Sequence, residues 1–164
     1  MKVLYIPLSL SVAILAGLWT YASVKLGLPT WAAFIGWAFY FVAGDDISAI
    51  AKVGVPTVIG VLFGYLSLYG LKAGGEAGVV VISLAVGVAA MVLVLMMNWK
   101  AFAMAPAAFG GFAVFFAVTF GQFKSKDAFA LDNIYYSLLA LVIGIGLGYL
   151  SIKIPLLFTK SSEA

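Results

Sequence analysis

The sequence predicts an all-α integral membrane protein, with six transmembrane segments arranged as two inverted three-helix repeats. Three observations carry this. The chain of 164 residues is 65% hydrophobic and 9% charged, with a mean hydropathy of +1.20. An ordinary soluble domain is about 25% charged, so lipid must be this chain's main solvent. Its apolar residues fall into six stretches parted by short polar breaks. Finally, three blocks occur twice and in the same order, as a tandem duplication requires.

The clearest block reads AAFIGWAFYF over residues 32–41 and AAFGGFAVFF over 107–116, with six of ten positions identical. The second reads GVLFGYLS over 60–67 and GIGLGYLS over 144–151. The third, weaker, reads SLSVAILA over 9–16 and SLAVGVAA over 83–90. The offsets are 75, 84 and 74 residues, so the second copy carries an insertion before Gly144, where the polar run QFKSKDAFALDN lies. Repeat one covers residues 1–72 and repeat two 76–158 of a single membrane domain.

Segment one spans 3–24 and ends at Lys25. Its apolar run of about 20 residues exceeds the roughly 7–15 of a signal peptide, and it matches a block deep in the chain, so it reads as a retained helix. Gly27 and Pro29 then break the chain, and Thr30 suits an N-cap. Segment two, 30–43, is short for a span of about 20 residues. It either borrows length from Leu26 and Leu28 or is a tilted or partial helix. Gly44, Asp45 and Asp46 end it. Segment three, 53–71, carries Pro56 near its start, where proline is tolerated. Residues 72–76, with Gly74 and Gly75, join the repeats. Segment four spans 77–97, and Asn98, Trp99 and Lys100 give its connection an interfacial character. Segment five, 101–121, is expected to be broken or kinked at Pro106. The polar loop 122–133 precedes segment six, 134–154.

Three segments per repeat make the second copy enter the membrane from the opposite side, giving an inverted repeat with its axis in the membrane plane. Both termini then share one face. That face holds Lys2, Lys52, Lys100, Lys153 and Lys160, against Lys25, Lys72, Lys124 and Lys126 opposite. Five against four favours termini in the cytoplasm.

Composition excludes several chemistries. There is no cysteine, histidine or arginine among the residues, and the charge of +3 is spread over scattered lysines. Thiol and imidazole catalysis, their metal sites, bidentate phosphate clamps and a nucleic-acid patch are therefore all out of reach. No nucleotide motif or triad occurs. The expectation is no enzyme, no cofactor and no metal.

What remains is glycine, aromatic residues and one pair of carboxylates. Gly60/Gly64 and Gly144/Gly148 are spaced four apart, as helix-packing faces require. Gly36 and Gly111 lie on another face of segments two and five, where they would let those segments meet closely at the bilayer centre. Phe34, Trp37 and Phe41, with Phe109, Phe112 and Phe116, share faces at helical spacing. Such stripes pack against lipid or helices. They also suit the wall of a pore or solute cavity, because they lie on the shortest segment and on the one containing Pro106, at corresponding positions of the two repeats. Asp45 and Asp46 read as a solvated helix end, or, on a partial segment two, as groups facing a proton or cation. Asn98 and Gln122 could hydrogen-bond a neutral solute.

The first helix, the PTWAAFIGWAFYF block and the glycine-rich segments after it resemble the YcdZ-like family of small bacterial inner-membrane proteins. The resemblance spans nearly the whole chain and implies an inner-membrane location, with no substrate or catalytic residue to carry over. The two-times-three plan is also similar to that of the aquaporins. Their paired asparagine-proline-alanine signature is absent, since Ala105-Pro106-Ala107 lacks the asparagine, so no water-channel mechanism transfers. The resulting expectation is a membrane channel or facilitator for transport of a small, largely uncharged solute, assembled as a homo-oligomer in the bilayer. The alternative is a non-transporting scaffold or accessory subunit of a larger complex.

Overall fold

The structure is a computed structural model that describes residues 5–44, 46–75 and 78–159. Among them it is all-helical: α1 Tyr5–Leu26, α2 Thr30–Ala43, α3 Ser48–Ser67, α4 Tyr69–Gly74, α5 Gly78–Met96, α6 Ala105–Phe120 and α7 Leu131–Thr159, with a 3-10 turn at Lys100–Phe102. The helices are apolar all round, as spans or buried helices are. Four stretches are long and apolar enough to cross a membrane: Ile6–Leu26, Ser48–Lys72, Gly78–Met96 and Leu131–Leu157. They are compatible with a multi-pass membrane protein. Thr30–Ala43 and Ala105–Phe120 are apolar but shorter, about 21 and 24 Å at 1.5 Å per residue.

Local chemistry sets the breaks. Gly27, at φ +61°, closes α1. Its N–H bonds to the Val24 carbonyl and the Leu28 N–H to that of Ser23, the pairing of a Schellman cap. The Ser23 and Thr30 hydroxyls then meet at 2.6 Å, and Trp19 Nε1 donates to the Thr30 carbonyl at 2.9 Å. Thr30 thus ties α2 to α1 instead of capping its own helix, whose N-cap is Pro29. Pro106 falls in the first turn of α6, where its missing N–H costs no helical bond. Segment five is therefore not kinked at Pro106; residues 101–104 belong to the turn and connection before it. Segment three begins earlier than expected, at Ser48, and pauses at Leu68 before α4. Segment six runs longer, from Leu131 to Thr159.

The core is made by two long helix pairs, α3 with α6 and α2 with α7. α1 rests on α7, and α5 rests on α3 and α4. α1 and α5 are the least buried of the long helices. The largest apolar cluster joins Val61 of α3 and Leu68, between α3 and α4, to Val114, Phe115 and Val118 of α6 and to Leu141 of α7. A second joins Tyr40 and Val53 to Ala107 and Ile145.

Candidate functional site

The repeated blocks come together along the two long pairs. In the α2–α7 seam, a Cβ on Gly36 would fall on the Leu141 carbonyl, and one on Gly144 on the Ala33 carbonyl. In the α3–α6 seam, a Cβ on Gly111 would fall on the Thr57 carbonyl, and one on Gly60 on that of Ala108. Only glycine lets backbones approach this closely. By block position Gly36 corresponds to Gly111, Ala33 to Ala108 and Gly60 to Gly144. Each contact in one seam thus has its counterpart in the other, with the repeats exchanged.

The correspondence extends to the next turn. A Cβ on Gly64 would lie 2.7 Å from the Phe115 ring, and one on Gly148 lies 2.8 Å from Tyr40. Beside these glycines, Tyr65 meets Phe115 edge-on at 6.0 Å and 89°, and Tyr149 meets Tyr40 at 6.4 Å and 89°. From Ala33 with Gly144 to Tyr40 with Gly148, and from Thr57 with Gly111 to Gly64 with Phe115, the residue numbers rise together, so α2 runs with α7 and α3 with α6. Gly36 does not meet Gly111: α2 and α6 touch only lightly, and each of these glycines faces the long helix of the other repeat. A further tight contact, unanticipated in the sequence, is Gly110, where a Cβ would fall on the Phe39 ring. Its signal was the GG of the second block against IG in the first.

These seams lie within residues 9–155, the stretch matched by a family model described as "Protein of unknown function (DUF1097)". The chain belongs to that family. No curated protein and no solved structure matches it. The DUF1097 match takes in both copies of every repeated block.

The aromatic residues take up three kinds of position. Trp37 and Phe112 are buried. Trp37 Nε1 donates to Ser151 Oγ at 3.3 Å, and Ser151 in turn donates to the Gly148 carbonyl at 2.7 Å. Phe34, Phe41 and Phe109 are more than a third exposed, with Phe34 stacked on Trp37 at 6.0 Å. Phe116 is half-buried between Phe112, at 4.9 Å, and Phe120, at 5.5 Å. Phe112, Phe116 and Phe120 line one side of a groove of about 430 Å³ whose other side is Ile82, Ser83 and Val86 of α5.

The polar candidates are mostly peripheral. Asp46 is exposed and caps α3, receiving the Ser48 hydroxyl and, at 3.1 Å, the Ala49 N–H. The Ser48 bond holds its carboxyl below the ordinary value; desolvation opposes this, and the Ala49 N–H and the charge of Lys52 add to the lowering. Asp45 lies outside the described residues. Asn98 is exposed and donates to the Leu95 carbonyl at 2.8 Å. Gln122 is exposed, at φ +51°. Two buried groups at the α6–α7 end, Thr119 Oγ1 and Asn133 Oδ1, have no hydrogen-bond partner among the described residues. Asn133 spends its amide on the carbonyls of Asp127 and Ala128, at 3.0 and 3.2 Å. Sequence inspection passed over both, because neither sits in a duplicated block. At the opposite end a cavity of about 390 Å³ opens between the end of α2, the start of α3 and the start of α6, with Lys52 and Lys100 in its wall.

Proposed function

We propose that the protein is a channel or facilitator for a small, largely uncharged solute, built from six membrane-crossing segments in two inverted repeats. The observation that carries the reading is the exchange of equivalent contacts between the two seams. Such reciprocity belongs to two like units joined about a two-fold axis. α2 and α3 follow each other closely in the chain and pack together through Tyr40, Ala49 and Val53, as neighbouring helices that run in opposite directions do. Because α3 runs with α6, α2 and α6 are then opposed, which supports an axis across the helices, in the membrane plane. Two short helices at corresponding places in such halves are the recurring position of solute sites.

The unpartnered Thr119 and Asn133 groups favour a polar solute, because buried hydrogen-bonding capacity is normally filled. The absence of histidine, arginine and cysteine disfavours a strongly charged one. The likeness to YcdZ-like proteins supports the inner membrane, and the lysine balance supports cytoplasmic termini. A chain this small, with glycine-rich helices, fits a homo-oligomer. One observation favours the second reading, a non-transporting scaffold or accessory subunit: Trp37 is buried and fills space between helices instead of walling an opening. A swelling assay on protein-containing liposomes, screened over urea, short acids, ammonium and other small solutes, decides between them. Faster swelling for at least one neutral solute is expected. Rates equal to empty liposomes for every solute would leave the scaffold.

A further inference from the structure

The cavity of about 390 Å³ has the chemistry of an anion site set in an apolar wall. Lys52, one turn into α3, and Lys100, in the 3-10 turn, both line it. Neither forms an ion pair among the described residues. Asp46, whose carboxylate feels the charge of Lys52 without an ion pair, takes its hydrogen bonds from Ser48 and Ala49 at the start of α3. The first turn of α6 faces the same space through Met104 and Pro106, adding the positive end of a helix dipole. The rest of the wall is apolar, with Val42, Ala43 and Ala103. Val42 is largely exposed, so this wall continues onto the outer surface of α2. Trp99, also exposed, precedes Lys100, and Trp beside Lys marks the headgroup level of a bilayer.

A free ion has no use for the apolar half of this cavity, whereas a lipid uses both halves. We propose that the cavity binds the phosphate headgroup of an acidic phospholipid between Lys52 and Lys100, with an acyl chain lying along Val42 and Met104. Basic pockets between membrane helices bind acidic headgroups in this manner. The inference rests on the membrane reading above and is independent of transport.

The test has two stages. Pelleting with membranes after alkaline carbonate washing checks the membrane reading by itself. The detergent-purified protein is then titrated with phosphatidylglycerol and with phosphatidylcholine, and bound lipid is counted by native mass spectrometry. Two lysines at the headgroup level should give a preference for phosphatidylglycerol of roughly thirtyfold, weakening with salt. The double variant Lys52→Gln/Lys100→Gln should lose most of that preference. Lys52→Arg/Lys100→Arg should keep it, as should Lys124→Gln/Lys126→Gln in the distant loop. An unchanged preference in the double glutamine variant would overturn the proposal. So would displacement of phosphatidylglycerol by millimolar inorganic phosphate, which would assign the cavity to a free anion.

Discussion

At the scale of single residues, the absence of a side chain does most of the work. Gly60 and Gly144 admit another helix's backbone where a methyl group would strike a carbonyl, whereas Gly54 and Gly146 have nothing within 4 Å of a Cβ. Gly60→Ala and Gly144→Ala should therefore each destabilise by about 1–3 kcal/mol or more, as overpacking does. Gly54→Ala and Gly146→Ala should be neutral or stabilise by about 0.5–1 kcal/mol, because alanine is the better helix former. Thermal unfolding of the four variants in one detergent checks both halves of the claim. Asp46 gives a pH dependence of defined sign. Its folded pKa lies below the ordinary 3.8, so its contribution is present above that value and is lost as pH falls through the depressed one. Unfolding profiles of wild type and Asp46→Asn should differ at neutral pH and converge as acid protonates the cap. The spacing of the glycines was legible in the sequence, but their mates were not. Gly-x-x-x-Gly marks a face for close approach without naming the helix that comes to it.

Elements were legible where composition changes sharply. Gly27 and Pro29 mark the first break because a left-handed cap needs the one and helix entry suits the other. Pro106 misled, because a proline reads alike at the start of a helix and in its middle until the start is known. In the first turn it removes no helical bond, so Pro106→Ala should change stability by less than about 1 kcal/mol. A proline in the helix interior costs about 3 kcal/mol, and its replacement would stabilise by a comparable amount. Denaturation of the variant beside wild type distinguishes the two cases. The length of α7 was underestimated for a related reason. Its first turns carry Asp132 and Asn133, which read as loop, yet Asn133 is buried and holds the preceding loop by its amide. The cavity between Lys52 and Lys100 was illegible, because 48 residues separate its two cations and only the fold joins them.

At the scale of the molecule, the order and offset of the recurring blocks could be read in the sequence, while the crossing of their partners could not. Each repeat gives its second helix to the third helix of the other. Separately encoded halves, residues 1–75 and 76–164, should accordingly co-purify when expressed together and be degraded when expressed singly. Recovery of either half alone as a stable species would contradict the crossed packing. Inversion has its own test: reporter fusions at Lys72 and at Ala164 should report opposite compartments, and a shared compartment would remove it.

The crossed seams also impose a timetable on biosynthesis. The α3–α6 seam can close once the ribosome has delivered about 50 further residues, whereas Gly36 must wait for Leu141, 105 residues downstream. At about 5–20 residues per second, the glycine face of α2 stays unmated for roughly 5–20 s while most of the chain is still being made. During that interval its close-packing surface is open to any neighbouring helix, including α2 of another nascent copy. The last helix to emerge is therefore the one that ends the exposure of one of the first.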